Sequence, residues 1–120
     1  MAVFPLRPRM VPKPWGYELV WAETLRYAGK ILHIEQGKAL SLQYHVEKDE
    51  TLYVLTGRIE LFVGSSESTL ERIELVPGQG FHVHPYLFHR VRALETSDVL
   101  EASTPELEDV VRVRDDFGRA

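Results

Sequence analysis

The chain contains no cysteine, and that absence removes several chemistries together. Disulfide frameworks, thiolate metal sites and cysteine nucleophiles are excluded, and a reducing compartment fits. Basic charge is also scarce. Lys and Arg number 14 against 18 Asp and Glu, giving a formal charge of −4 and a pI near 5.7. The arginines are scattered rather than gathered into a stripe, so no field for nucleic acid is expected. No apolar run approaches the roughly 20 residues that a membrane helix requires. Pro5, Pro8, Pro12 and Pro14 interrupt the N-terminal region before a signal-peptide core could form. The expectation is a cytoplasmic protein with no membrane partner.

What remains is the composition of an ordinary globular domain, 44% hydrophobic and 27% charged over 120 residues. That length suits one domain, close to the size at which oligomerisation helps. Residues 1–14 read as a proline-rich, extended arm. From Tyr17 onward, short apolar or alternating runs are broken by turn residues. The candidate strands are 17–22, 30–35, 39–45, 51–56, 58–63, 69–75, 80–83, 89–94 and 99–103, with a final alternating run at 110–114. Gly37, Gly57, Gly64 and Pro77-Gly78 supply the backbone freedom or fixed φ that tight turns need. The expectation is an all-β sandwich or barrel whose mouth holds a ligand.

The most informative stretch is GKALSLQYHVEKDETLYVLTG, with spacing Gly37-x5-Gln43-x-His45-x4-Glu50-x6-Gly57. Alternate residues of a strand share a face, so Gln43 and His45 point the same way, and Glu50 returns on the next apolar run. A mixed oxygen and nitrogen set suits a divalent metal. His89, eleven positions after Gly78 in PGQGFHVHPYLFHRVRA, is the fourth candidate ligand.

These residues resemble the cupins, whose two motifs are G-x5-H-x-H-x3,4-E-x6-G and G-x5-P-x-G-x2-H-x3-N. Gln43 stands where the first histidine is expected, and His84, Tyr86 and Ala93 replace the proline, glycine and asparagine. The departures resemble one branch. Gln-x-His in place of His-x-His is similar to cupin-type mannose-6-phosphate isomerases. Lys13-Pro14-Trp15-Gly16-Tyr17-Glu18 resembles the PWG segment of the type II enzymes, and Leu40-Ser41-Leu42-Gln43-x-His45 resembles their SLQ-x-H core. Arg112-x2-Asp115-x-Phe117-Gly118-Arg119 resembles their terminal motif. The resemblance implies a jelly-roll β-barrel over 15–120 and a metal on Gln43, His45, Glu50 and His89. Zinc is the implied metal, while the donor types also admit iron, manganese, nickel or cobalt. Type II enzymes usually carry an upstream nucleotidyltransferase domain, so the expectation here is a stand-alone cupin domain.

Other residues have two readings each. Glu47, two beyond His45, either continues the inward face as a catalytic carboxylate or belongs to a solvated Glu47-Lys48-Asp49 turn, which is favoured. His84, sharing a face with His82, is either a further ligand or proton-transfer group, or a surface residue. Lys30 is the candidate phosphate contact at the mouth. Arg90 and Arg92 face away if His89 faces in. Arg112 and Arg119 either reach the ligand or tie down the C-terminus through Asp115 or Asp116. Trp15, Tyr17 and Trp21 read as core or dimer contacts.

Three functions follow. The first is an aldose–ketose isomerase acting on a sugar phosphate. The second is a non-catalytic metabolite-binding cupin, and the third a metal-dependent dioxygenase, against which Gln43 argues. Weak or absent turnover of mannose 6-phosphate is expected, since the metal set is retained while neither base nor phosphate clamp is visible. A homodimer is expected, with Val3, Phe4, Leu6, Met10 and Val11 docking the arm on a neighbour.

Overall fold

The computed structural model describes residues 3–120. Nine strands follow in chain order: β1 (Arg9–Lys13), β2 (Gly16–Glu23), β3 (Ala28–Ile34), β4 (Leu42–Tyr44), β5 (Glu50–Gly64), β6 (Glu71–Leu75), β7 (Gly80–Val83), β8 (Phe88–Ser103) and β9 (Val111–Arg114). A single 3₁₀ turn, Glu67–Thr69, is the one helical element among the described residues. No helix there is long and apolar enough to cross a membrane.

Two long antiparallel strands, β5 and β8, are shared by both faces of the barrel. The first half of β5 and the second half of β8 join β7 on one side and β3, β2 and β1 on the other. The remaining halves join β6 on one side and β4 and β9 on the other. The expected all-β jelly-roll barrel is what the chain forms. Alternation puts Leu52, Val54, Ile59, Leu61, Val91, Ala93 and Val99 inside, where they meet Trp15, Leu32, Ile34 and Val83. Burying each such side chain contributes on the order of 1.5–3 kcal/mol.

Two strand breaks expected from sequence are bends instead. The runs 51–56 and 58–63 form one strand, with register shifts around Gly57. Gly57 has φ +86, and a Cβ there would collide with Ser97 Oγ and the Thr96 carbonyl, so only glycine lets β5 turn the barrel's corner. Likewise 89–94 and 99–103 are halves of β8. The expected run 39–45 shortens to β4, with Ala39 bridging to Arg92. Part of the proline-rich arm, 9–13, is an edge strand on the chain's own sheet.

Candidate metal centre and its cavity

The site is built on β4, β5 and β8. Gln43 on β4 is the direct cross-strand partner of His89 on β8, so the two side chains share the inner face. His45 follows two residues after Gln43, and Glu50 opens β5 after the intervening turn. His45, Glu50 and His89 are almost wholly buried, and their donor atoms lie within 4.8 Å of one another. Glu50 Oε1 is 3.6 Å from His45 Nε2 and 3.4 Å from His89 Nε2.

The second atom of each imidazole sets its tautomer. His45 Nδ1 lies 2.6 Å from the Asp109 carbonyl and His89 Nδ1 lies 3.0 Å from the Leu87 carbonyl. Carbonyls only accept, so each Nδ1 carries the proton and each Nε2 turns a lone pair toward Glu50. Both Nε2 atoms are buried without a hydrogen-bond partner. Two unsatisfied acceptors converging on a carboxylate are what a divalent cation satisfies. Gln43 Oε1 accepts from Ser41 Oγ at 2.6 Å, which orients the amide and leaves the oxygen a second lone pair.

A chain of buried charge adjoins this cluster. Lys48 Nζ stands 2.9 Å from Glu50 Oε2 and 3.0 Å from Glu101 Oε2, and all three residues are buried. Burial pushes the Glu50 carboxyl up, but the facing His45 and His89 imidazoles and the Lys48 charge hold it well below the ordinary carboxylate range. Glu101 goes the other way. Burial first and then the Glu50 charge raise it, only partly offset by Lys48 and Lys30. Two neighbouring carboxyls are thus driven apart, Glu50 downward and Glu101 upward.

The cluster borders a cavity of about 370 Å³. Gln43, His45, Lys48 and Glu101 line it, with Trp15, Leu40 and the edge strand's Arg9, Val11 and Lys13. The C-terminal segment adds Leu107, Glu108, Val110, Arg112 and Arg119. Six cationic side chains line the cavity against three carboxylates, Glu18, Glu101 and Glu108. Lys30 is in this wall, within β3, and its Nζ pairs with Glu18 at 3.1 Å.

The candidate catalytic residues from sequence lie elsewhere. Glu47 is exposed on the turn, and the structure does not bring its carboxylate to the cavity. His84 is exposed, its Nδ1 bonded to the Pro85 carbonyl and its ring edge-on to His82. The neighbour of Glu47, Lys48, read as part of the solvated turn, is instead 4% exposed. The parity of that turn hid it. Glu101 was missed too, although a lone charge at an inward position of the run 99–103 was a usable signal. Arg90 and Arg92 line a separate hollow with Leu42, Phe62 and Leu70. Arg119 pairs with Asp115 at 2.9 Å, and Arg112 donates to the C-terminal Ala120 oxygen, so both also tie down the tail.

Comparison with solved structures fits this geometry. KdgF from Halomonas sp. is 22% identical, with a TM-score of 0.68 over 86% of this chain and 91% of that one. The capsular polysaccharide assembling protein CapF from Staphylococcus aureus is 13% identical, with a TM-score of 0.75 over 90% of this chain. Oxalate decarboxylase from Bacillus subtilis is also 13% identical, with a TM-score of 0.75 over 88% of this chain. The barrel is the cupin fold. The chain spans nearly all of KdgF but only 34% of CapF and 30% of oxalate decarboxylase. A scan against protein-family models returned no match, and neither did a search of curated proteins. The buried His–Glu–His group is one that could hold a divalent metal.

Proposed function

We propose that this cupin binds a sugar phosphate or related anionic carbohydrate at a metal held by Gln43, His45, Glu50 and His89, zinc being the first candidate. The observation that carries the reading is the convergence of two unpartnered Nε2 atoms on Glu50 beside a cavity rich in cations. When bound, the metal supplies Lewis-acid stabilisation of a developing oxyanion. The cationic lining suits a phosphate or carboxylate, which arginine can grip with two parallel hydrogen bonds.

The residues at this cavity support aldose–ketose isomerisation. That reaction removes a proton from C2 and returns it to C1, while a hydroxyl proton passes from O2 to O1, with no net oxidation. Glu101 is the carboxylate for the carbon proton. It lines the cavity, burial raises its pKa, and Lys48 holds its orientation. A coupled assay with mannose 6-phosphate, alongside metal analysis of protein purified without added metal, tests the reading. Turnover lost in Glu101→Gln supports isomerisation. Saturable binding of the sugar phosphate without turnover supports the non-catalytic alternative.

We also propose a homodimer. Cross-strand partners Met10, Leu19, Ile31, Leu100 and Tyr53 make an uncharged row over five strands on the outer face of the β1-β2-β3-β8-β5 sheet. Met10, Trp21 and Tyr53 there remain 43–58% exposed, and Val3, Phe4 and Leu6 are more exposed still. In a chain with 27% charged residues, a second copy packed on this face would cover it. A standard interface buries roughly 800 Å² per partner.

A further inference from the structure

The turn that carries the metal ligands is held from outside by the C-terminal segment. Between His45 and Glu50, four consecutive backbone N–H groups turn away from β5. Val46 N–H donates to Asp109 Oδ1 at 3.1 Å, and Glu47 and Lys48 donate to Asp109 Oδ2 at 2.6 and 2.8 Å. Asp49 N–H donates to Thr104 Oγ1 at 3.0 Å, while Thr104 N–H returns a bond to the Asp49 carbonyl. Three successive N–H groups around one carboxylate form an anion nest, here filled by a side chain of the same protein. The Asp109 backbone carbonyl, meanwhile, accepts from His45 Nδ1.

We propose that Asp109 is a positioning residue for the metal centre. Its carboxylate contacts none of the four ligating side chains, but it fixes the turn from which His45 and Glu50 project, while its backbone carbonyl fixes the tautomer and rotation of His45. This rests on the proposed function in that the centre is taken to bind a metal. The reasoning is geometric. With the nest empty, three N–H donors have to find water, and the 46–49 turn relaxes. His45 and Glu50 flank that turn on both sides, so their convergence on His89 depends on it. Outer partners of ligating histidines typically alter metal affinity by about 10- to 100-fold when removed. Asp109→Ala keeps the carbonyl and empties only the nest, so an effect in that range would come through the turn.

The test uses the full chain and two substitutions, Asp109→Ala and Asp109→Asn. Co²⁺ affinity is measured by competition with a chromophoric chelator, with the visible Co²⁺ spectrum recorded beside it. Amide hydrogen exchange of residues 46–48 is followed in metal-free protein. Asp109→Ala is expected to weaken Co²⁺ binding about 10- to 100-fold, alter the spectrum, and lose protection at those amides while far-UV circular dichroism is unchanged. Asp109→Asn, keeping one acceptor oxygen, is expected to fall between. Wild-type Co²⁺ affinity and spectrum in Asp109→Ala would overturn the proposal. If the unsubstituted chain binds no Co²⁺, the metal reading itself falls. The amide exchange then judges the latch alone, and unchanged protection in Asp109→Ala overturns that too.

Discussion

Glu50 Oε1 stands 3.4 Å from His89 Nε2, joining the start of β5 to the start of β8 at the centre of the site. The contact brings a carboxylate held ionised against an imidazole lone pair, and His45 completes the group from the turn after β4. Replacing His45 and His89 together by alanine should abolish bound metal. The fold should survive, since the apolar core supplies most of the stability. Metal stoichiometry and circular dichroism of the double variant check both halves. Retained stoichiometric metal would refute the ligand assignment.

Lys48 is the bridge between two buried carboxylates, and removing it strands both. Lys48→Met should destabilise metal-free protein by about 3–5 kcal/mol, the range for breaking a buried pair from one side. A bound divalent cation would compensate Glu50, so added metal should restore part of the loss. Denaturant unfolding with and without metal measures this, and a loss below about 1 kcal/mol would show that the charges relax to water.

The tail offers a pH prediction. The hydrogen bond from Arg119 holds the buried Asp115 carboxyl below its ordinary value, helped by backbone N–H groups and opposed by burial. A carboxyl depressed on folding contributes stability above its unfolded pKa, near 3.9, and loses it as pH falls through the lower folded value. Carbon-detected NMR titration should therefore find Asp115 titrating below the usual aspartate range. Arg119→Gln should move the midpoint upward. An unchanged midpoint would show that the pair is not populated in solution.

Tyr86 occupies the position where the cupin motif has glycine, and it keeps the left-handed conformation with φ 65. Its N–H donates to the His45 carbonyl at 2.7 Å, which ties this turn to the segment carrying His45. Tyr86→Gly should relieve strain of about 1–2 kcal/mol, offset by chain entropy and by the lost stacking on Tyr44. A net gain of up to about 1 kcal/mol in urea unfolding is the expected outcome. A clear loss of stability would mean that the ring contact dominates.

Deleting residues 1–8 removes Val3, Phe4 and Leu6 while keeping β1. Sedimentation should show the full chain as a dimer at micromolar concentration and the shortened chain shifted toward monomer. A full-length chain that sediments as a monomer would refute the proposed interface.

Much of the barrel was legible because strand periodicity is a local property. Alternating runs and glycines marked nearly every strand, and the spacing from Gly37 to Gly57 named His45 and Glu50, which meet His89. What local pattern could not tell was whether a glycine ends a strand or bends it. Gly57 reads as a turn in sequence, and only its closeness to Ser97 on β8 makes it a bend within β5.

Charge was the other blind spot. In sequence, Glu47-Lys48-Asp49 is a solvated run. In the folded chain Lys48 is buried because Glu50 and Glu101, the latter from a strand far along the chain, supply the partners that make its burial tolerable. Asp109 is a surface aspartate in sequence, and it becomes the centre of a nest only when β9 pairs with β4. Sequence by itself determined the strand pattern, the candidate ligands and the excluded chemistries, because those depend on residue type and near spacing. Which charges are buried, which carboxyl is raised and which is lowered, and what braces the ligand turn were decided by tertiary structure, because each depends on partners brought together from distant segments.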